Sequence, residues 1–396
     1  MQFYFDYNLP VITYILLGAA LLCLLWLIFF YLRRISRVTR AVKAQAEAAD
    51  QAEGNVETQN LPAASIVIFA QDQSSWLEEL LPDILAQEYS PGFEVIVVNE
   101  GASDATRDLV EHLALAHPNL YLTYTPDGAR NLSRKKLALT IGIKAAKNPV
   151  VVNITAGVRV PSTHWLYSIM RNFADAGTEV VLGYAYPCDG DVAWGFRRRA
   201  FDYCAEAVTW LSPAIARHPY RGIEYNLAYT RDIFFRNKGF SRSLNLVNGD
   251  DDIFIHQIAD GDNTVVELSP DSMLVANYRD HRAAQEDMMR RHIFTSKRVS
   301  RGSARLMTIG AWTIWVIIAL AVSAALVQPM NILPIAIAAL IVIGTLLSVT
   351  LVWRGVMSAL RSRRMFWTLP RLAMFHPLRR MTLKFRSRKT RHYTWK

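Results

Sequence analysis

The stretch ASIVIFAQDQSSWLEELLPDILAQEY, residues 64–89, contains the pattern that decides the fold. It opens with the short apolar run SIVIF, as expected of a buried parallel strand, and continues with helical periodicity in SSWLEELLPDILAQ. A second pair follows, with the strand FEVIVV at residues 93–98 and the helix ATRDLVEHLALAH. Further candidate strands lie at residues 120–124, 149–153 and 179–183. Because strands and helices alternate, the sequence predicts an α/β fold with a mostly parallel sheet covered on both faces.

Short polar segments follow three of the predicted strands. They are AQDQ after the first strand, NEGASD after the second and ITAG after the fourth. In open parallel sheets, ligands bind outside the carboxyl ends of the strands. We therefore expect binding residues in these three segments.

Three apolar stretches predict transmembrane helices, one N-terminal and two C-terminal. Residues 11–31, 307–327 and 332–352 each contain 21 residues and no charge. A helix needs about 20 apolar residues to cross a bilayer. The first stretch is too long for the apolar region of a signal peptide, and its basic residues follow it. It is therefore predicted to be an uncleaved anchor.

The basic residues around these stretches predict the topology. Lys and Arg follow the first and third stretches and precede the second, whereas the loop QPMN between the last two has none. Cytoplasmic flanks carry the excess of Lys and Arg, so residues 32–306 and the tail are expected in the cytoplasm. The predicted organisation is an extracytoplasmic N-terminus (1–10), a transmembrane helix (11–31), a helical extension with a linker (32–61), an α/β domain (62–295), two transmembrane helices (307–327 and 332–352) and a basic tail (353–396).

The tail is basic and interleaved with aromatic residues, as in FWTLPRLAMFHPLRRMTLKF, and no Asp or Glu occurs after Asp287. Such a segment beside a transmembrane helix is typical of a chain lying on anionic lipid headgroups. Nucleic acid is the alternative partner, but that interpretation rests on the tail alone. We therefore predict membrane lipids, and no nucleic acid, as the partner of this segment.

Three adjacent carboxylates occur in NGDDDIF, residues 248–254. Like charges this close repel and raise one another's pKa. One interpretation is a polar turn that opens a helix, because Asp is favoured at helix N-termini. The other is a site where a ligand or a proton transfer uses the carboxylates.

Several segments occur in a recognisable order. They are residues 64–89, quoted above, EVIVVNEGASDATRDLV (94–110), SRKKLALTIGIKAAKNPVVVN (133–153), HPYRGIEYNLAYTRDIFFRNKGF (218–240), NGDDDIFIHQIA (248–259) and RRH (290–292). Their order and spacing resemble glycosyltransferase family 2, whose nucleotide-binding fold is called GT-A, and in particular its membrane-bound members in Bacteroides-like bacteria.

The resemblance implies a general base in the acidic turn. A sugar hydroxyl is a poor nucleophile at neutral pH, and a carboxylate can remove its proton as it attacks the anomeric carbon. By position in the motif, Asp251 is the expected base. Asp250 stands where the family often has Glu, and Asp252 is expected to cap or support the following helix. Attack opposite the leaving nucleotide implies inversion of the anomeric configuration.

The resemblance also implies residues that bind the donor and the acceptor. Gln71 and Asp72 lie on the first loop, where the family contacts the nucleoside. Asn99 and Glu100 occupy the turn that usually holds the base or the ribose. The remaining residues expected at the donor are Lys135, Thr155 and Gly157. Those expected at the acceptor or the diphosphate are Asp250, Asp252, Arg291 and His292.

The segment VVNITAGVRVPSTHW departs from the family pattern. Family members usually place Asp-x-Asp here to hold Mg²⁺ or Mn²⁺. In this chain Thr155, Ala156 and Gly157 replace that motif, so the two carboxylate positions fall on Thr155 and Gly157. Neither residue is a good ligand for a divalent metal ion without a carboxylate nearby.

Three alternatives follow from this replacement. In the first, a metal ion is held by Glu100, by residues 250–252 and by the substrate phosphates. In the second, the diphosphate is neutralised by Lys135, Arg291 and His292. In the third, the protein is a non-catalytic binding or assembly subunit.

A second departure concerns the Gln-x-x-Arg-Trp motif of processive synthases. Met288 stands at the Gln position, and Gln285 lies three residues too early. With only three predicted spans, transfer of one sugar is favoured over a processive polysaccharide synthase. The sequence thus predicts an inverting glycosyltransferase for cell-surface glycan synthesis at the cytoplasmic face of a bacterial inner membrane. Its expected partners are a nucleotide-sugar donor, UDP-linked by default, and a lipid-linked or other membrane-proximal acceptor.

Overall fold

The computed structural model describes residues 3–52, 61–71, 73–100, 104–125, 133–187, 194–276, 281–296, 298–299 and 302–387. The chain forms two compact units. The first unit comprises Met1–Arg40, Asp191–Ser212 and Gly302–Phe385, and the second comprises Ala41–Gly190, Pro213–Arg301 and Arg386–Lys396.

The strands belong to the second unit. In order they are β1 (Ala64–Ala70), β2 (Phe93–Asn99), β3 (Leu120–Tyr124), β4 (Val150–Thr155), β5 (Val158–Arg159), β6 (Val180–Leu182), β7 (Ala185–Pro187), β8 (Leu227–Thr230), β9 (Thr264–Val266) and β10 (Leu274–Ala276). The main sheet has the order β3-β2-β1-β4-β8-β6-β9, and β5, β10 and β7 form a small second sheet. In the main sheet only β8 runs antiparallel to its two neighbours. The predicted α/β fold with a mostly parallel sheet is confirmed.

The helices occupy both units. They are α1 (Val11–Phe30), α2 (Ser36–Ala52), α3 (Ser74–Leu85), α4 (Asp104–Ala114), α5 (Arg134–Ala145), α6 (Trp165–Met170), α7 (Trp194–Ile215), α8 (Arg231–Arg236), α9 (Asp252–Ile258), α10 (His281–Thr295), α11 (Gly302–Val327), α12 (Ile332–Ala359) and α13 (Leu369–Ser387). One π-helical turn, Tyr31–Ile35, joins α1 to α2.

The opening stretch folds as its pattern predicts. β1 is buried along almost its whole length, because helices cover the parallel sheet and leave no polar face. In α3 the buried side chains are Leu77, Leu80, Leu81 and Ile84. This spacing of three and four residues places them on one face of the helix, which packs against the sheet.

The strands that precede the candidate loops end at the same edge of the sheet. Ala70 pairs with Asn99, and Phe69 pairs with Thr155. Helix α5 packs closely on this sheet because Gly142 has no side chain: a Cβ there would lie 2.6 Å from Val67 Cγ1. The close packing brings the first residues of α5 to the carboxyl edge.

The first unit contains the apolar parts of the helices that are long enough to cross a membrane. Among the described residues these are Val11–Gln51, Thr308–Val327 and Ile332–Ala359, which confirms three helices able to span it. Tyr4 N donates to Met330 O at 3.0 Å, and Ile332 N donates to Tyr4 O at 3.0 Å. The N-terminal segment and the loop between α11 and α12 therefore lie at the same end of these helices.

Candidate functional site

The acidic turn leads directly into α9. Gly249 adopts a φ of +104°, which favours glycine, and Asp252 is the first residue of the helix. Asp251 occupies the N-cap position, where its Oδ1 accepts from Asp252 N at 2.7 Å. The helix-opening interpretation of this turn thus agrees with the geometry. The N-cap hydrogen bond occupies Oδ1 of Asp251, and no described residue donates to the other oxygen, Oδ2.

A buried lysine organises the approach to this turn. Lys136 Nζ donates to Ser243 O at 2.6 Å, Leu246 O at 3.1 Å and Asn248 O at 2.9 Å. Burial lowers the pKa of Lys136 to about 8, although the nearby carboxylates oppose this. At the start of α5, Ser133 Oγ donates to Val247 O at 3.0 Å. The N-terminus of α5 therefore holds the backbone that precedes the three carboxylates.

Two cations meet one carboxylate beside the turn. Lys135 Nζ lies 2.6 Å from Asp250 Oδ2 and also forms an ion pair with Glu224. Arg291 Nη1 lies 3.0 Å from Glu224 Oε1. Burial opposes the charge of Glu224, but Lys135 and Arg291 lower its pKa to about 2. Burial likewise opposes the charge of Lys135, but Asp250 and Glu224 raise its pKa above the ordinary value. Glu224 and Lys135 therefore stay ionised around neutral pH.

The third carboxylate of the turn anchors α10. Asp252 is buried, and its Oδ2 accepts a hydrogen bond from Thr295 Oγ1. Arg221 Nη2 lies 3.5 Å from the same oxygen and donates to His292 O at 3.2 Å. Asp252 thus links the start of α9 to the helix that carries Arg291 and His292.

Asp251 faces a different environment from its neighbours. Burial, together with the negative charges of Asp252 and Asp250, raises the pKa of Asp251 well above its ordinary value. It lines a small cavity with Lys135, Thr155 and Asp250. The site therefore combines a carboxylate of raised proton affinity with a cation at the carboxyl edge of the sheet.

The predicted donor-binding residues lie along the same edge. Asn99 is buried at the end of β2, and the following Glu100 accepts from Arg134 Nη1 at 2.9 Å. Gln71 is exposed just after β1. Asp72 lies outside the described residues. The roles of all these residues remain predictions.

Thr155, Ala156 and Gly157, which replace the Asp-x-Asp motif, stand at the end of the fourth strand. Thr155 is the last residue of β4, and Ala156 and Gly157 form the tight turn to β5. Ala156 is buried, so the middle position of the motif packs an apolar methyl group into the protein. Thr155 Oγ1 is also buried, and no described group forms a hydrogen bond with it. A hydroxyl that needs a partner thus faces the cavity where the family pattern would place a carboxylate.

The described residues fit a divalent metal ion poorly. Mg²⁺ and Mn²⁺ prefer carboxylate oxygens and water, and the side chains of residues 155–157 supply no carboxylate. Two of the nearby carboxylates already face a cation, since Glu224 and Asp250 pair with Lys135. Within the described part of the chain, no group of three or more acidic, histidine or cysteine side chains is arranged to hold a metal.

Two residues that complete the site were not predicted from the sequence. Sequence patterns predict no role for Glu224, in the segment GIEYN, or for Lys136, which follows Lys135. The available signal for Glu224 was that it is the one acidic residue between positions 207 and 231. The ion pairs of Glu224 join residues 67 and 89 positions away, which no local pattern reveals.

Comparisons with known proteins agree with this architecture. Residues 65–245 match the sequence model of the family described as Glycosyl transferase family 2. Glycosyltransferase AglE of Haloferax volcanii is 23% identical over 140 residues, which are 34% of this chain and 44% of that protein. The match thus spans less than half the length of this curated relative.

A solved structure resembles nearly the whole chain. It is the mannosyltransferase PcManGT from Pyrobaculum calidifontis in complex with GDP-Man and Mn²⁺, at a TM-score of 0.50 and 19% identity. The similarity covers 87% of this chain and 99% of that one. At this identity the likeness shows a shared fold.

Proposed function

We propose that this chain, whose residues 65–245 match the model of Glycosyl transferase family 2, transfers one sugar from a nucleotide-sugar donor to an acceptor. The observation that carries the proposal is the cavity lined by Lys135, Thr155, Asp250 and Asp251 at the carboxyl edge of the sheet. It joins a proton acceptor to a cation suited to phosphate, the two groups that such a transfer requires. The acidic turn lies beyond the matched residues, so its role is argued from geometry.

Asp251 is the proposed general base. Its Oδ1 is used by the start of α9, and its Oδ2 is left to accept the proton of the attacking hydroxyl. A raised pKa brings a carboxylate closer to the pH at which it works, which favours proton transfer. The deprotonated hydroxyl attacks the anomeric carbon as the nucleotide leaves from the opposite face. The anomeric configuration is then inverted.

The diphosphate of the donor is proposed to bind basic side chains. Lys135 and Arg291 converge on Glu224, so both cations are held in place before a donor arrives. Phosphate oxygens accept strong hydrogen bonds from such groups. His292, which follows Arg291 on α10, is the third proposed contact. Mg²⁺ or Mn²⁺ is the alternative that the measurement below separates.

The nucleotide is proposed to lie along the ends of the first two strands. Gln71 and Asp72 would contact the nucleoside, and Asn99 and Glu100 the base or the ribose. Glu100 is buried and held by Arg134, which gives a fixed carboxylate at this edge. UDP is the default nucleotide. GDP is a second candidate, because PcManGT was solved in complex with GDP-Man.

The acceptor is proposed to be lipid-linked or otherwise close to the membrane. Three helices of the chain are able to span a bilayer, and the basic flanks favour a cytoplasmic position for the catalytic domain. Met288 replaces the Gln of the processive motif, which favours one transfer over polymerisation. The proposed location is the cytoplasmic face of a bacterial inner membrane.

Nucleotide release by the full chain in detergent tests the proposal. UDP-, GDP- and dTDP-sugars are supplied with membrane lipid extract as acceptor, with Mg²⁺, with Mn²⁺ or with EDTA. Asp251→Asn should lower turnover by about 10²–10⁴-fold, the usual contribution of a general base. Asn keeps an oxygen for the start of α9, so the fold is retained. The control is Asp108→Asn, at an exposed position of α4.

The outcomes separate the alternatives. Release that depends on Asp251 and persists in EDTA supports basic side chains at the diphosphate, whereas loss in EDTA supports a metal. Full turnover by Asp251→Asn would refute the mechanism. Nucleotide binding without turnover would indicate that the true acceptor is missing from the assay. No binding of any nucleotide sugar would instead support the non-catalytic subunit that Thr155 and Gly157 suggest.

A further inference from the structure

The first unit encloses a cavity of about 170 Å³. Apolar cavities of about 150 Å³ admit a molecule the size of benzene, so this one has room for part of a ligand. Its walls come from α1, α7, α11, α12 and α13, and every lining residue belongs to the first unit. The apolar walls include Phe30, Phe201, Ala311, Trp353, Pro377 and Met381.

The cavity lies at one end of the three apolar helices. It is lined by the last residue of α1, by the beginning of α11 and by the last third of α12. This end is opposite to the one where Tyr4 meets the loop between α11 and α12. If these helices cross a bilayer, the cavity is level with one membrane surface. Helix α13 exposes Phe375 and Phe385 among its basic residues, as helices in the headgroup region do.

Three polar side chains form a row along one face of α13. His376, Arg380 and Lys384 are spaced by four residues, and all three line the cavity. Arg380 Nη2 lies 3.5 Å from Glu206 Oε2, which holds the guanidinium in place. Lys384 is exposed at the rim. Among the described lining residues the charged side chains are Arg380 and Lys384, both basic. Glu206 offsets part of the charge of Arg380, and Lys384 leaves the cavity suited to an anion.

His376 carries a polar atom that requires a partner. Its Nε2 is buried and forms no hydrogen bond with any described group. Burial lowers the pKa of His376 to about 4, so the imidazole is neutral in a cell. A neutral imidazole can still donate one hydrogen bond, and a buried polar group without a partner costs free energy. A ligand that accepts this hydrogen bond would remove that cost.

We propose that this cavity binds the phosphate end of a lipid, with the phosphate contacting His376, Arg380 and Lys384 and the first part of the chain lying against the apolar walls. The inference does not depend on the proposed sugar transfer, because all the residues that carry it belong to the first unit. A bilayer phospholipid and a polyprenyl phosphate share the required chemistry.

Binding to the full chain in a nonionic detergent tests the inference. The probes are farnesyl phosphate, farnesol, dioctanoyl-phosphatidylglycerol and inorganic phosphate, titrated by calorimetry. Farnesyl phosphate or the phosphatidylglycerol should bind at least about tenfold more tightly than farnesol, because a hydrogen bond to a charged group is at stake. Whichever of the two binds more tightly identifies the source of the lipid. Equal binding of farnesol, or no binding of either lipid phosphate, would overturn the inference.

Two variants locate the bound lipid. His376→Phe removes the unpaired nitrogen but keeps an aromatic ring, and it should weaken lipid-phosphate binding about tenfold without lowering the melting temperature. Lys384→Met should weaken binding about two- to fivefold, as for an exposed ion pair. Lys144→Met, at an exposed position of α5, is the matched control. Unchanged affinity in both α13 variants would place the lipid elsewhere and refute the proposed site.

Discussion

Gly249→Ala tests whether the backbone of the acidic turn holds Asp251 in its working position. Gly249 has a φ of +104°, and a Cβ there would lie 2.5 Å from Ile253 Cδ1 and 2.9 Å from Cγ1. Gly92 offers a matched control, because its φ is +89° and a Cβ there meets nothing within 4 Å. It precedes β2 and so lies at the opposite end of that strand from the candidate site. Both substitutions strain the backbone, but only Gly249→Ala also forces a neighbour to move.

Both substitutions should lower stability, and Gly249→Ala should lower it somewhat more. A non-glycine residue in this backbone region costs about 1–3 kcal/mol. In a domain of this size each kcal/mol lowers the melting temperature by about 2–4 °C. Gly249→Ala adds either a rotation of Ile253, at about 0.5–1.5 kcal/mol, or a shift of the turn. Because the added contact is far below van der Waals distance, we expect the turn to shift and to carry Asp251 with it.

The activities should therefore differ. Misplacing a catalytic group by about 1 Å can cost about 10²-fold, so Gly249→Ala should lower kcat by that order, whereas Gly92→Ala should stay near wild type. Donor-dependent nucleotide release and thermal melting of the full chain in detergent measure the two effects. Adding Ile253→Ala to Gly249→Ala removes both clashing carbons and should restore much of the activity. If the two single variants lose activity equally, the side chain of Ile253 moves instead of the turn. That result would refute the idea that the turn positions the base.

Three further expectations concern the charges of the site. Because the pKa of Asp251 is raised, turnover should fall as the pH drops through that raised value. Glu224→Gln removes one of the negative charges that raise the pKa, so the acidic limb of the kcat profile should move to lower pH. An acidic limb that does not move would contradict the assignment of Asp251 as the base. Lys135→Met should raise the KM for the nucleotide sugar about tenfold in donor titrations, while Lys144→Met on the same helix should not. Thr295→Val removes a hydrogen bond to a buried carboxylate at constant shape, so the free energy of unfolding should fall by about 1.5–3 kcal/mol; an unchanged melting temperature would argue against the link between α9 and α10.

Local patterns were sufficient to predict the fold. A continuous apolar run predicts a buried strand, and apolar residues three and four positions apart predict one buried face of a helix. The structure shows the first pattern at residues 65–69 and the second at Leu77, Leu80, Leu81 and Ile84. The uncharged stretches likewise predicted helices long enough to cross a membrane. The edge at which the candidate loops meet also followed, because the carboxyl ends of parallel strands lie together, as the pairing of Ala70 with Asn99 shows.

The partners of the site residues could not be predicted in the same way. The adjacent lysines of SRKK look alike in the sequence, yet Lys135 faces the cavity and Lys136 faces the loop before the acidic turn. Successive residues of a helix point about 100° apart, so the difference depends on the rotation of α5 about its axis. That rotation is set by tertiary packing such as the close approach of Gly142 to Val67.

The ion pairs also bear on how a donor would change the proposed base. Lys135 is now balanced by Asp250 and Glu224, and its positive charge is one of the influences that lower the pKa of Asp251. A diphosphate bound to Lys135 would bring negative charge toward Asp251 and draw the ammonium away from Asp250. Both changes favour the protonated form of a carboxylate, so the proton affinity of Asp251 should rise when the donor binds. The base would then be strongest when the sugar to be attacked is already in place, without any metal ligand at residues 155–157.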